Sequence, residues 1–316
     1  MYKEPMFLAP VFKDRIWGGT KLRDVFNYKI PTETTGECWG ISAHPNGPSM
    51  IKNGKLKGMT LDKAWRKHRD LFGNYDTEEF PLLTKILDAS TDLSVQVHPD
   101  DTYARVNEDQ LYGKTECWYV INCDENAEIV YGHHADSPVD FRHNVAKGNW
   151  PELLRKVKVK PGDFFYVPSG TIHAIGGGIM ILETQQSSDI TYRVYDYGRK
   201  DSFGKTRELH IDKSIEVTQY PHRDPELTYK IKRESEAVFT ELVSAKYFTV
   251  QHWDIRGTAK KSLDQPFLLV SVIGGEGEIV IGEKSFPIWK NDHFILPASI
   301  SDFKLNGHCQ MIVSHP

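Results

Sequence analysis

Three residues of this chain, His98, Glu116 and His173, combine metal-capable side chains with strand-like surroundings. They lie in LSVQVHPD (93–100), GKTECWYVI (113–121) and FFYVPSGTIHAI (164–175). Two imidazoles and one carboxylate make a zinc-type coordination set that leaves room for water or substrate. Strand residues two apart face the same way, so Gln96 joins His98 on one face while Val97 points to the other. The amide oxygen of Gln96 is chemically able to complete the set. These donors suit zinc, and they also accept iron, manganese or cobalt. Lys114 stands two residues before Glu116 and therefore shares its face, as a cation at the pocket edge for a substrate oxygen or a proton transfer.

A second group is weighed against plainer readings. In ETQQSSDITYRVYDYGR (183–199), Asp189 and Arg193 are spaced i, i+4, which describes a surface ion pair equally well. At the mouth of a pocket, the arginine fork would suit a phosphate or a developing enediolate. Lys85, inside the apolar run PLLTKILDA (81–89), is either a snorkelling edge residue or a pocket-facing cation. Gly113-Lys114-Thr115 imitates the end of a phosphate loop, but Glu108 occupies the first glycine position and a strand follows where a helix is needed. GGG (176–178) and GGEG (274–277) read as hairpin turns. His133-His134 reads as a solvated pair at a turn. The chain has no H-E-x-x-H and no G-x-S-x-G, which excludes the zincin and nucleophile-elbow patterns.

The elements that must hold these residues are mostly short strands. Runs at 93–98, 117–122, 127–131, 163–168, 179–185, 247–254, 267–273, 277–281 and 293–297 are punctuated by Gly, Pro, Asn and Asp, as in a sandwich or barrel. Helices are predicted over 60–72 with Thr60 as N-cap, over 137–147 from Ser137-Pro138, and over 149–157. An internal repeat is also present. AEIVYG (127–132) resembles GEIVIG (277–282), which lays CWYVINC (117–123) over FLLVSVI (267–273), and GDFFYVP (162–168) resembles NDHFILP (291–297). The helical patterns at 137–157 account for the extra length of the first copy. In the second copy Pro266 falls at the place of Glu116 and Asp302 at that of His173, so it keeps the scaffold and drops the metal-capable residues. The two units join through HRDPELTYKIKRESE (222–236).

With 316 residues the chain can hold two such units. A formal net charge of −4 gives no overall basic footprint, so nucleic acid and anionic membrane are not expected partners. The four cysteines, Cys38, Cys117, Cys123 and Cys309, form no C-x-x-C pair and read as core residues of a cytoplasmic protein. The opening MYKEPMFLAPVFKDR lacks the apolar core of a signal peptide.

At RIWGG (15–19), GECWGISAHPNGPS (36–49), PLLTKILDA, LSVQVHPDD, GKTECWYV, GDFFYVPSGTIHA and ETQQSSDITYRVYDY, the chain closely resembles the type I mannose-6-phosphate isomerases of the short bacterial kind. The resemblance implies a mainly β fold of cupin-type barrels, a degenerate bicupin with helical insertions. The catalytic unit would span 1–235, with helical additions near 50–75, 137–157 and 206–218, and a cupin-like unit without metal ligands would span 236–316. It further implies one zinc ion per chain, held by Gln96, His98, Glu116 and His173. Arg193 and Lys114 match the family's catalytic cations, and Lys85 and Asp189 its substrate pocket. The implied reaction is interconversion of mannose 6-phosphate and fructose 6-phosphate through an enediolate, with a small-molecule sugar phosphate as partner and the oligomeric state left open. Lys114-Thr115-Glu116 stands where long members have Lys-Pro-Glu, and their large helical insertion is missing. The competing expectations are a metal-dependent sugar-phosphate sensor without turnover and an iron cupin oxygenase.

Overall fold

The computed structural model describes residues 2–200 and 204–316. Its strands form three antiparallel sheets of six, five and nine strands, each an open ladder whose end strands are not joined by hydrogen bonds. The six-stranded sheet runs in the order Phe164–Val167, Glu116–Cys123, Ile179–Gln186, Leu82–Ala89, Thr35–Ile41, Val11–Gly19. The five-stranded sheet runs Tyr192–Tyr195, Val95–Val97, His173–Ala174, Glu128–His133, Leu154–Lys158. Between these two sheets lies an apolar cluster that includes Trp17, Leu87, Trp118, Tyr131 and Ile181.

Strand alternation sends every second residue the other way, and those outer faces are also covered. Val95, Val97 and Val194 pack under Phe141, Leu153 and Ile215 of the helices Pro138–Lys147, Trp150–Leu153 and Ile211–Val217. Cys38, Ile86, Cys117 and Leu182 of the six-stranded sheet pack on Val250, Leu269, Ile295 and Ile312 of the nine-stranded one. All eight residues of Leu82–Ala89 and of Ile179–Gln186 are buried as a result. The nine-stranded sheet closes over its own core of Phe239, Trp253, Val270, Ile279 and Met311. It takes in strands from both ends of the chain. Met6–Ala9 pairs with His293–Pro297, and Met50–Ile51 pairs with Met6–Ala9.

The segments that resemble each other in sequence pair antiparallel in both places, Glu116–Cys123 with Phe164–Val167 and Phe267–Ile281 with His293–Pro297. Cys117 faces Tyr166 across the first pair, and the residue aligned with it, Phe267, faces Pro297, two residues from the one aligned with Tyr166. A shift of two preserves the face each side chain occupies.

Several local expectations change. Ser137 caps its helix by accepting from the Asp140 amide at 3.2 Å, but Thr60 makes no side-chain cap to the helix Leu61–Lys67. The helix expected over 149–157 stops at Leu153, and Leu154–Lys158 becomes a strand paired with Glu128–His133. GGEG lies inside the single strand Phe267–Ile281 and makes no hairpin turn. His133 is buried and its Nε2 donates to the Gln219 carbonyl at 2.9 Å; only His134 of that pair is exposed. Among the described residues, no helix is long and apolar enough to cross a membrane.

Candidate metal centre and active site

Two cross-strand rows face each other between the six- and five-stranded sheets. In the five-stranded sheet, His173 pairs with Gln96, and Gln96 pairs with Arg193. In the six-stranded sheet, Trp118 pairs with Glu183, Glu183 with Lys85, and Lys85 with Trp39. Antiparallel partners share a face, so each row presents its side chains together. His98 follows the strand Val95–Val97 and Glu116 begins its own strand.

The ligand atoms of His98, Glu116 and His173 all lie within 4.8 Å of one another, and the three residues are buried. The carboxylate spans the gap between the rings: Glu116 Oε2 is 3.5 Å from His98 Nε2, and Oε1 is 3.4 Å from His173 Nε2. Each imidazole gives its other nitrogen to a main-chain carbonyl, His98 Nδ1 to Ile190 at 2.7 Å and His173 Nδ1 to Thr171 at 2.8 Å. A carbonyl only accepts, so both Nδ1 atoms are protonated donors and both neutral rings turn an Nε2 lone pair inward. Burial, reinforced by the Lys114 charge, holds His98 well below the ordinary histidine pKa. Burial likewise lowers His173, although Glu116 opposes the effect. Burial also opposes the Glu116 charge, yet the Lys114 ammonium keeps its carboxyl below the usual glutamate range. Two neutral imidazoles and an ionised carboxylate are the donor set a divalent cation requires. The amide end of Gln96 stands 3.4 Å from His173 Nε2. Turning that amide over brings its oxygen to the same place, an assignment that depends on what it faces.

Charged side chains surround this centre. Lys114 Nζ contacts the Glu116 carboxylate and lies 3.2 Å from His98 Nε2 and 3.5 Å from Glu183 Oε1. Lys85 Nζ binds the same Glu183 oxygen at 2.9 Å. The Trp118 indole donates to Glu116 Oε1 at 3.0 Å and to Glu183 Oε2 at 3.1 Å. Glu183 is therefore a buried bridge between two lysines, and nothing in the sequence reading singled it out. Its signal was a carboxylate in the apolar run IMILE, the mirror image of Lys85 in PLLTKILDA.

Arg193 reaches along its sheet, with Nε donating to Ser94 Oγ at 3.2 Å and Nη1 to the Glu208 carbonyl at 3.1 Å. Burial and the nearby Arg207 lower its pKa. Asp189 is exposed and accepts from Asn46 at 2.7 Å, with His44 Nε2 at 3.8 Å. Among the described residues it makes no ion pair with Arg193. The segment is extended, and i, i+4 neighbours meet only on a helix. In the nine-stranded sheet, Asp302 is exposed and accepts from Ser262 at 2.8 Å. Among the described residues, the group of His98, Glu116 and His173 has no counterpart there.

Fold and site together define a cupin-type β protein with a buried two-histidine, one-carboxylate centre between two of its sheets. The family model for the catalytic domain of type I phosphomannose isomerase matches residues 6–133, and that for the mannose-6-phosphate isomerase cupin domain matches residues 239–316. The chain belongs to the type I phosphomannose isomerases. It is 54% identical over 315 residues to the mannose-6-phosphate isomerase ManA of Bacillus subtilis, covering 100% of both chains. It is also 54% identical over 312 residues to a mannose-6-phosphate isomerase of Streptococcus mutans, covering 99% of this chain and 98% of that one. The crystal structure of a Bacillus subtilis mannose 6-phosphate isomerase superposes with a TM-score of 0.98 at 52% identity, over 99% of this chain and 100% of the other.

Proposed function

We propose that this isomerase interconverts mannose 6-phosphate and fructose 6-phosphate with one zinc ion held by His98, Glu116, His173 and the Gln96 amide oxygen. The observation that carries the reading is the pair of inward Nε2 lone pairs flanking an ionised carboxylate, in a chain 54% identical to a mannose-6-phosphate isomerase. An aldose–ketose exchange moves a proton between C2 and C1 of the sugar while negative charge builds on the neighbouring oxygen. When bound, the ion supplies a Lewis acid for the sugar hydroxyls and that charge.

The protein's own groups do the rest. Arg193 shares a sheet face with Gln96 and His173, and its fork stabilises the enediolate or holds the phosphate. Lys114, in contact with Glu116 and His98, carries a proton to or from the sugar oxygens. Lys85, fixed by Glu183, binds substrate oxygens, and Asp189 orients Asn46 and His44 at the mouth. Four free cysteines suit a reducing cytoplasm.

A coupled assay with mannose 6-phosphate, before and after chelation, tests this reading. Turnover is expected to vanish with the metal and to return with zinc. Full activity after exhaustive metal removal would refute it, and oxygen uptake in place of isomerisation would redirect it to iron chemistry.

A further inference from the structure

Glu37-Cys38-Trp39 and Glu116-Cys117-Trp118 are the same tripeptide on two strands of the six-stranded sheet. The strand period puts Glu and Trp of each on one face, where the indole donates to the carboxylate two residues earlier. The distances are 2.6 Å for Trp39 to Glu37 and 3.0 Å for Trp118 to Glu116. Cys38 and Cys117 turn the other way, into the core shared with the nine-stranded sheet. The two carboxylates then meet different company. Glu116 spans two imidazoles, whereas Glu37 is gripped by Arg15, with Nε to Oε1 at 3.0 Å and Nη2 to Oε2 at 3.0 Å.

Lys85 links the two places, since it pairs across the sheet with Trp39 on one side and Glu183 on the other. Two runs of ion pairs, Arg15–Glu37 and Lys85–Glu183–Lys114–Glu116, thus lie end to end on one sheet face, with Glu37 and Lys85 on adjacent strands where they meet. Only Arg15, with 35% of its side chain exposed, reaches far toward solvent. One oxygen of Glu183 serves both Lys85 and Lys114. A buried ammonium with a single carboxylate neighbour would be drawn wholly onto it. Glu37 supplies a second negative charge: burial opposes the Lys85 cation, and Glu183, Glu37 and Glu116 together favour it.

We propose that Glu37, locked by Arg15 and Trp39, is a positioning residue of the isomerase site, holding Lys85 so that Glu183 stays shared with Lys114 and the Lys85 ammonium stays free to meet substrate. The inference rests on the reading that Lys85 binds substrate. A double-mutant cycle with Glu37→Gln, Lys85→Gln and both together, measuring kcat, KM and bound metal, tests it. Glu37→Gln is expected to lose about tenfold in kcat/KM with metal content unchanged, a size within ordinary coupling between neighbouring charges. In the Lys85→Gln background it should cost nothing more, and Glu37→Asp should recover part of the loss. Losses that multiply in the double variant, or normal kinetics in Glu37→Gln, overturn the inference while leaving Lys85 in its role. Normal kinetics in Lys85→Gln would instead remove the reading of Lys85, and the inference with it. If Glu37→Gln does not fold, Trp39→Phe deletes one hydrogen bond to the carboxylate, keeps a ring, and enters the same cycle.

Discussion

Replacing Glu183 by glutamine keeps the size of a buried side chain and removes its charge. The residue is 2% exposed, receives the Trp118 indole at 3.1 Å, and stands 2.9 Å from Lys85 and 3.5 Å from Lys114. Removing one partner of a buried ion pair costs about 3–5 kcal/mol, because the other charge is left uncompensated. Here Glu37 and Glu116 still act on Lys85, and Lys114 keeps Glu116, so the lower figure of ~3 kcal/mol applies. For a chain of this size each kcal/mol lowers the melting temperature by about 2 °C, giving a fall of ~6 °C. Calorimetry or circular dichroism on Glu183→Gln would read it. Lys85→Met leaves Glu183 paired with Lys114 and should lose less. The double variant Glu183→Gln/Lys85→Met deletes both charges and should melt above Glu183→Gln alone. A drop of under about 1 °C in Glu183→Gln, or a double variant as unstable as the two losses added, would refute the account of Glu183 as a buried bridge.

Two further outcomes are expected. Arg193→Ala should keep its metal and lose about 10²–10³-fold in kcat, the usual effect of removing a preorganised donor, and near-normal kinetics would take Arg193 out of the mechanism. Asp196 accepts from Arg207 Nε at 2.8 Å and from Arg199 Nε at 3.1 Å. Burial works against its charge, but these arginines bring its carboxyl below the ordinary aspartate range. A depressed carboxyl stabilises the fold above its unfolded pKa and loses that contribution as pH falls through the folded value. The urea midpoint of the protein should therefore decline on acidification below the ordinary carboxylate range, and that of Asp196→Asn should decline less. Matching acid limbs would exclude the contribution.

The sequence alone determined what is local. Period-two alternation put Gln96 with His98 and Lys114 with Glu116; Lys114 does meet Glu116 and Gln96 stands beside His173, although His98 and Lys114 lie just outside the strands Val95–Val97 and Glu116–Cys123. Ser137 closed its helix through an equally local bond, to the Asp140 amide. Partner choice was decided only in three dimensions. Leu154–Lys158 is a strand because Glu128–His133 offers it a ladder, which outweighs a helical pattern in NWPELLRKV. The glycines of GGEG serve close approach: a Cβ on Gly307 would lie 2.5 Å from the Cα of its partner Gly277, so the strand runs on where a turn was expected. Glu183 and Lys85 are far apart in the chain, and no local signal says that their strands pair. Residue type and parity thus brought the candidate metal donors into view. The buried alternation of charge around them exists only because the sheet sets distant strands side by side, where water cannot screen it.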